Sequence, residues 1–153
     1  MNKTFIIDTS VILAFYFPQE PYKEQALRLL KDYINGEINL IISSLTWYEV
    51  LNAISCLLRG LKGKVTISLE QAREVITAIN LLDLEKKDIY GIEDRILELT
   101  KKYSLSAYDA SYLAIAEKFN LYLITGDEKF YNSVKKDFSF IKFIKNWQEG
   151  SGA

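Results

Sequence analysis

The chain has 153 residues, of which 49% are hydrophobic and 25% charged, enough apolar material for one folded core and too much for a disordered segment. With 19 Lys and Arg against 20 Asp and Glu, the net charge is −1. Binding to nucleic acid through bulk positive charge is therefore excluded, and any such contact must come from local patches. Histidine is absent and cysteine occurs once, at Cys56, which removes His-based catalysis, cysteine-rich zinc sites and an intrachain disulfide framework. An enzyme built from this sequence works with carboxylates, hydroxyls, lysines or a hard metal ion.

The first residues carry too short an apolar run for a signal peptide, and no stretch of about 18 apolar residues occurs, so a cytoplasmic protein outside any membrane is expected. Phe5-Ile6-Ile7 reads as a short buried strand ending at Asp8. Ser10 is placed to cap an apolar segment over 11–17 that stops at Pro18. A helix is predicted over 22–34 with Ala26, Leu27, Leu30 and Ile34 as its apolar stripe, closed by Asn35-Gly36. Leu40-Ile41-Ile42 is the next strand, and a helix over 46–59 follows, with Cys56 expected in its core face. A basic break at 60–64 precedes a helix over 68–82, opened by Ser68 and Gln71 at capping-box spacing. A short strand over 84–87 leads into a helix over 92–103 with Ile96, Leu97 and Leu99 inward. Ser106 caps a helix over 107–119. A strand over 121–125, a short helix from Asp127 to about Val134 and a strand over 140–143 complete the pattern. Strands alternating with helices predict one α/β domain over 1–147, a mainly parallel central sheet covered by helices on both faces, followed by a flexible tail over 148–153.

Four acids fall at comparable places. Asp8 follows the first strand, Glu49 lies in the first turns of the helix after the second, Asp109 lies in the first turn of the helix at Ser106, and Asp127 follows the strand over 121–125. In a parallel sheet the carboxyl ends of the strands share one edge, where ligands bind. Carboxylate oxygens suit Mg²⁺ or Mn²⁺, and such a site needs no histidine. Each acid also has a local alternative. Thr46 with Glu49 and Ser106 with Asp109 have capping-box spacing, Asp127 can be an N-cap, and Asp8 can satisfy backbone donors after the first strand. If the four share one pocket, they repel without a metal, and Asp8→Asn should leave the metal-free protein at least as stable.

The residues around these acids resemble a known family. Ile6-Ile7-Asp8-Thr9-Ser10-Val11-Ile12-Leu13 is similar to the opening strand motif of PIN domains, and Glu49-Val50-Leu51-Asn52-Ala53 to their second motif. Ser106-Ala107-Tyr108-Asp109-Ala110-Ser111-Tyr112-Leu113-Ala114-Ile115-Ala116 closely resembles the third motif of VapC-type toxins, and Leu123-Ile124-Thr125-Gly126-Asp127-Glu128-Lys129-Phe130 the fourth. The order and spacing agree over residues 3–145. The resemblance implies a three-layer PIN-like fold and an acidic pocket of Asp8, Glu49, Asp109 and Asp127 binding Mg²⁺ or Mn²⁺. It implies endonucleolytic cleavage of RNA by the toxin of a type II toxin–antitoxin pair, with a small antitoxin protein as partner. Thr9, Asn52 and Thr125 would orient the acids. Gly126 departs from the pattern by adding flexibility before Asp127.

Arg59, Lys62 and Lys64 form the densest basic cluster and are expected to grip RNA phosphates beside the acids, or else to be a solvated loop. Lys135-Lys136 reads as plain surface. The apolar helices around 50–58 and 75–82 suggest a homodimer face or an antitoxin groove. Two other readings stay open: a housekeeping RNA-processing nuclease of the same fold, and a non-catalytic PIN-fold binding module. An aspartyl-phosphate phosphatase is disfavoured because Asp8-Thr9-Ser10 lacks the second acid of its DxD pattern.

Overall fold

Four of the five strands grow from short apolar runs, whereas β3 is the charged segment Glu85–Lys87. The computed structural model describes residues 2–63 and 65–148. Within them lie β1 (Lys3–Ile7), α1 (Thr9–Tyr16), α2 (Lys23–Ile34), β2 (Ile38–Ser43), α3 (Thr46–Leu58), α4 (Leu69–Leu81) and β3 (Glu85–Lys87). There follow α5 (Glu93–Tyr103), α6 (Ala107–Phe119), β4 (Tyr122–Thr125), α7 (Glu128–Val134), β5 (Ile141–Phe143) and a 3₁₀ turn over Ile144–Asn146. Lys64 and residues 149–153 of the tail expected over 148–153 lie outside the described residues.

The strands form one sheet in the order β3-β2-β1-β4-β5, and all four pairings are parallel. Parallel neighbours need crossovers, and the crossover helices cover both faces. Strand alternation sorts the core into two. Phe5, Ile7, Leu40, Ile42 and Ile124 pack with residues of α1 to α4, while Ile6, Ile41, Leu123 and Ile141 pack with residues of α5, α6 and α7. The expected three-layer α/β architecture is thus present, with every pairing parallel. Helix α6 is buried over Ala110–Ala116, and its three alanines let it lie close against β1, β2 and β4.

Local differences have identifiable causes. Asp8, not Ser10, caps α1, its carboxylate accepting from Val11 N–H. In α2 the inward positions are Ala26, Leu29 and Asp32, whereas Leu27 and Ile34 are 44% and 66% exposed. The face turns because the Trp147 indole donates to Asp32 Oδ2 at 3.1 Å, fixing that side of the helix inward. In α5, Leu97 is 67% exposed while Ile96 and Leu99 are buried. Cys56 is only half-buried. The capping box at Ser68 and Gln71 forms with both of its hydrogen bonds. Among the described residues no helix is long and apolar enough to cross a membrane.

Candidate metal centre

The pairing of β1 with β4 builds the first half of the site. Ile7 lies opposite Ile124, so the next residues, Asp8 and Thr125, meet where the two strands end. Thr125 Oγ1 donates to Asp8 Oδ2 at 2.5 Å, and Ser10 Oγ donates to Asp8 Oδ1 at 2.5 Å. Val11 N–H also reaches Oδ1. The same Thr125 oxygen accepts from Asp127 N–H at 3.0 Å, and Asp127 Oδ1 caps α7 by accepting from Phe130 N–H at 3.1 Å. Ser10 Oγ accepts from Gly126 N–H at 2.8 Å. A Cβ at Gly126 would stand 3.2 Å from that oxygen, so the glycine permits a close approach rather than supplying flexibility.

The second half comes from α3 and α6. Ser106 caps α6 through Asp109 N–H at 3.1 Å and so sets the first turn that carries Asp109. One turn further on, Tyr112 is fully buried, and its hydroxyl donates to Glu49 Oε1 at 2.9 Å. That donation uses its only proton, so the Thr9 and Thr46 hydroxyls, at 3.0 Å and 3.3 Å, act as donors to it. Thr46 in turn accepts from Ser43 N–H; it serves the end of β2 rather than capping α3. Asp109 and Asp127 line a cleft of ≈ 400 Å³ together with Ser106, Lys129 and Ser133.

The charges belong to one neighbourhood. Burial raises the Asp8 carboxyl to about 6 against the pull of its three hydrogen bonds, with the Glu49 charge adding to the rise. Asp109 is raised to about 7, first by burial and then by the charges of Asp8, Glu49 and Asp127. The Tyr112 hydroxyl is pushed well above its ordinary range by burial and by Glu49. None of the four acids has an ion-pair partner among the described residues. Nor do any three of the described acids stand close enough together, as their side chains lie, to hold one ion. The hydroxyls of Thr125 and Ser10 donate to Asp8 and that of Tyr112 to Glu49, so neutral donors hold these two carboxylates.

The remaining expected site residues sit elsewhere. Thr9 bonds Tyr112 rather than an acid. Asn52 is exposed and makes no hydrogen bond to any of the four acids. Arg59 lies just past the end of α3, ten residues or about 15 Å along the axis from Glu49, with its guanidinium donating to Ser55 O and Oγ. Lys62 is exposed in the loop beyond it. Arg59 is therefore not beside Glu49, and Lys64 lies outside the described residues. Sequence reasoning missed Tyr112, Ser10 and Thr46. A signal existed for Tyr112, because a tyrosine inside an otherwise apolar, fully buried helical run must find a partner for its hydroxyl. Between α3 and α4, Leu51, Ile54, Leu58, Leu69 and Ile76 line an apolar groove of ≈ 520 Å³.

An all-parallel sheet with acids following β1 and β4 and opening α3 and α6 defines a class of three-layer α/β domains. Within that class, the PIN domain family model matches residues 5–136, and the chain belongs to the PIN domain family. It is 34% identical over 70 residues to Ribonuclease VapC9 of Mycobacterium tuberculosis and to VapC ribonuclease Mb0985 of Mycobacterium bovis. Those matches cover 46% of this chain and 54% of each relative, so the chain spans about half the length of the curated relatives it matches. A solved structure from Pyrobaculum aerophilum superimposes with a TM-score of 0.66 at 21% identity, covering 95% of this chain and 93% of the other. A toxin–antitoxin complex from Klebsiella pneumoniae gives 0.63 at 21% identity, covering 91% and 96%. At these identities the structures establish the fold.

Proposed function

We propose that this chain is a divalent-metal-dependent endoribonuclease that hydrolyses RNA phosphodiester bonds, the toxin of a type II toxin–antitoxin pair acting in the cytoplasm. The observation that carries the reading is Asp109: its carboxyl is pushed to about 7 by burial and by three other carboxylates, and no ion pair among the described residues relieves them. An all-oxygen, carboxylate-only donor set fits Mg²⁺ or Mn²⁺ and not a soft metal. Asp8, Glu49, Asp109 and Asp127 would hold the ion, which when bound supplies Lewis acidity toward the phosphoryl oxygens.

The chain's own residues do the positioning. Thr125 and Ser10 fix both oxygens of Asp8, and Tyr112 fixes Glu49. The first turn of α6 presents Asp109 to the cleft, where Lys129 stands ready to meet a substrate phosphate. RNA as the substrate is supported by the relatives, which are named as ribonucleases. An antitoxin partner is supported by neighbours described as a toxin–antitoxin complex and as VapBC2 from Rickettsia felis. The apolar groove between α3 and α4 suits that antitoxin, or the second chain of a homodimer.

Cleavage of a mixed-structure RNA by purified protein tests the reading, with Mg²⁺ or Mn²⁺, with EDTA, and with Asp109→Asn. Cutting that needs metal and disappears in the variant is expected. Neither cutting nor metal binding by the wild type would replace this reading with a non-catalytic PIN-fold module.

A further inference from the structure

The acidic site leaves unexplained a second concavity, a cleft of ≈ 490 Å³ at the β5 edge of the sheet. Three lysines, Lys3, Lys135 and Lys142, line it together with Ser139, Asn146 and several aromatic rings, and no Asp or Glu does. In a chain with 20 acids to 19 bases, a purely basic cleft is a local departure from the average. None of the three lysines has an ion-pair partner among the described residues.

Sheet register assembles the cleft. Tyr122 lies two residues before Ile124 on β4, and Lys142 is the β5 partner of Ile124, so Tyr122 and Lys142 share a face. Lys142 Nζ is 5.1 Å and Lys3 Nζ 5.8 Å from the centroid of the Tyr122 ring. Lys135 Nζ lies 5.4 Å from that of Tyr131. The Tyr122 ring remains 37% exposed while Phe5 packs against it at 5.6 Å, which holds the ring in place from one side.

Tyrosine rings beside ammonium groups that have no ion-pair partner among the described residues match one ligand chemistry: an unpaired base that stacks where the lysine side chains swing aside, and a phosphate backbone that those lysines neutralise. A duplex keeps its bases stacked on one another and offers no such face. The two sites are joined by α7. Asp127 caps its N-terminus, Lys129 lines the acidic cleft, Tyr131 follows, and Lys135 caps its C-terminus. From residue 127 to residue 135 the helical rise gives about 12 Å, within reach of a strand that leaves the acids along this helix.

We propose that the β5-edge cleft is a binding subsite for single-stranded RNA, holding a segment that flanks the bond cut at the acidic site. That the bound strand is also a substrate rests on the nuclease reading; the binding itself does not.

The test is fluorescence anisotropy with a labelled 12-nucleotide RNA of mixed sequence, single-stranded or annealed to its complement, in EDTA and at several salt concentrations. Wild type is expected to prefer the single strand by about tenfold or more. Tyr122→Leu keeps an apolar contact to Phe5 and should weaken binding about tenfold with an unchanged salt slope. Lys135→Ala with Lys142→Ala should lower that slope by about 1.4, near 0.7 for each phosphate lost. Both lysines are exposed, so this pair carries the test even if Tyr122→Leu fails to fold. Wild-type affinity in the lysine pair, or equal affinity for duplex and single strand, overturns the proposal. The two readings fail separately: RNA cleavage with unchanged binding in the variants sinks only the subsite, and weakened binding without any metal-dependent cleavage sinks only the nuclease.

Discussion

Asp109 shows how one side chain can report on a whole site. Its carboxyl is raised from 3.8 to about 7, so the folded protein binds that proton more tightly than the unfolded chain does. The stabilisation is full below about pH 4 and is lost as pH rises toward 7. At pH 8 without metal, Asp109→Asn should therefore be more stable than wild type, by about 2 kcal/mol after discounting for partial exposure. In a domain of this size that is a rise in Tm of roughly 4–8 °C. The gain should shrink as pH falls to 5, and thermal melts in EDTA at both pH values measure it. A lower Tm at pH 8 would make Asp109 a structural residue. Asp8 is a poorer probe than the sequence suggested. Its charge is also raised in cost, to about 6, but it accepts from Ser10, Thr125 and Val11 and caps α1, so Asp8→Asn disrupts bonds as well as removing charge. Tyr112 makes the converse case. Tyr112→Phe strips a buried hydroxyl of one proton and two lone pairs, leaving the Thr9 and Thr46 donors without their acceptor. A loss of about 1–3 kcal/mol is expected in urea unfolding, together with weaker metal binding because Glu49 loses its anchor. Unchanged stability would mean that the hydroxyl network adds nothing to the fold.

At the scale of elements, periodicity made most strands and helices legible, and the four acids were legible because each follows a strand or opens a helix. What was not legible depends on partners far away in the chain. The apolar positions of α2 allow either a face through Leu27 and Ile34 or one through Leu29. The choice falls to Asp32 and Trp147, 115 residues apart. Likewise Ser10 read as the cap of α1 and Asp8 only as a partner for backbone donors after β1; Asp8 takes the cap, while Gly126 claims Ser10 and Thr125 orients Asp8. Lys135 read as plain surface because nothing near it in sequence shows Tyr122, Lys3 and Lys142 arriving at the same cleft. Where the signal is local, the sequence suffices: Ser68 and Gln71 form the capping box that their spacing predicts. Ser68→Ala should lower stability by about 1 kcal/mol. None of the four acids lies on α4, so the variant should bind Mn²⁺ like wild type, as isothermal titration would show; an altered affinity would mean that α4 is coupled to the acidic edge.

For the whole molecule, the fold and the charge cluster pull against each other. The all-parallel sheet brings β1 and β4 together and so gathers Asp8 and Asp127, while α3 and α6 deliver Glu49 and Asp109 to the same edge. Folding thus concentrates carboxylates that the unfolded chain keeps apart. Without a cation, stability should fall as pH rises through about 6 and then about 7, the values to which Asp8 and Asp109 are raised. A divalent ion held at the proposed site would compete with those protons. Added Mg²⁺ or Mn²⁺ should therefore raise Tm strongly at pH 8 and progressively less toward pH 5.5, and the slope of Tm against pH should flatten at saturating metal. Near pH 6.5, binding should release protons, so its apparent enthalpy will depend on the ionisation enthalpy of the buffer. Differential scanning fluorimetry across pH, with and without metal, and calorimetry in two buffers measure both effects. A metal-induced rise independent of pH, with no proton release, would place the ion away from Asp8 and Asp109 and detach the charge cluster from metal binding.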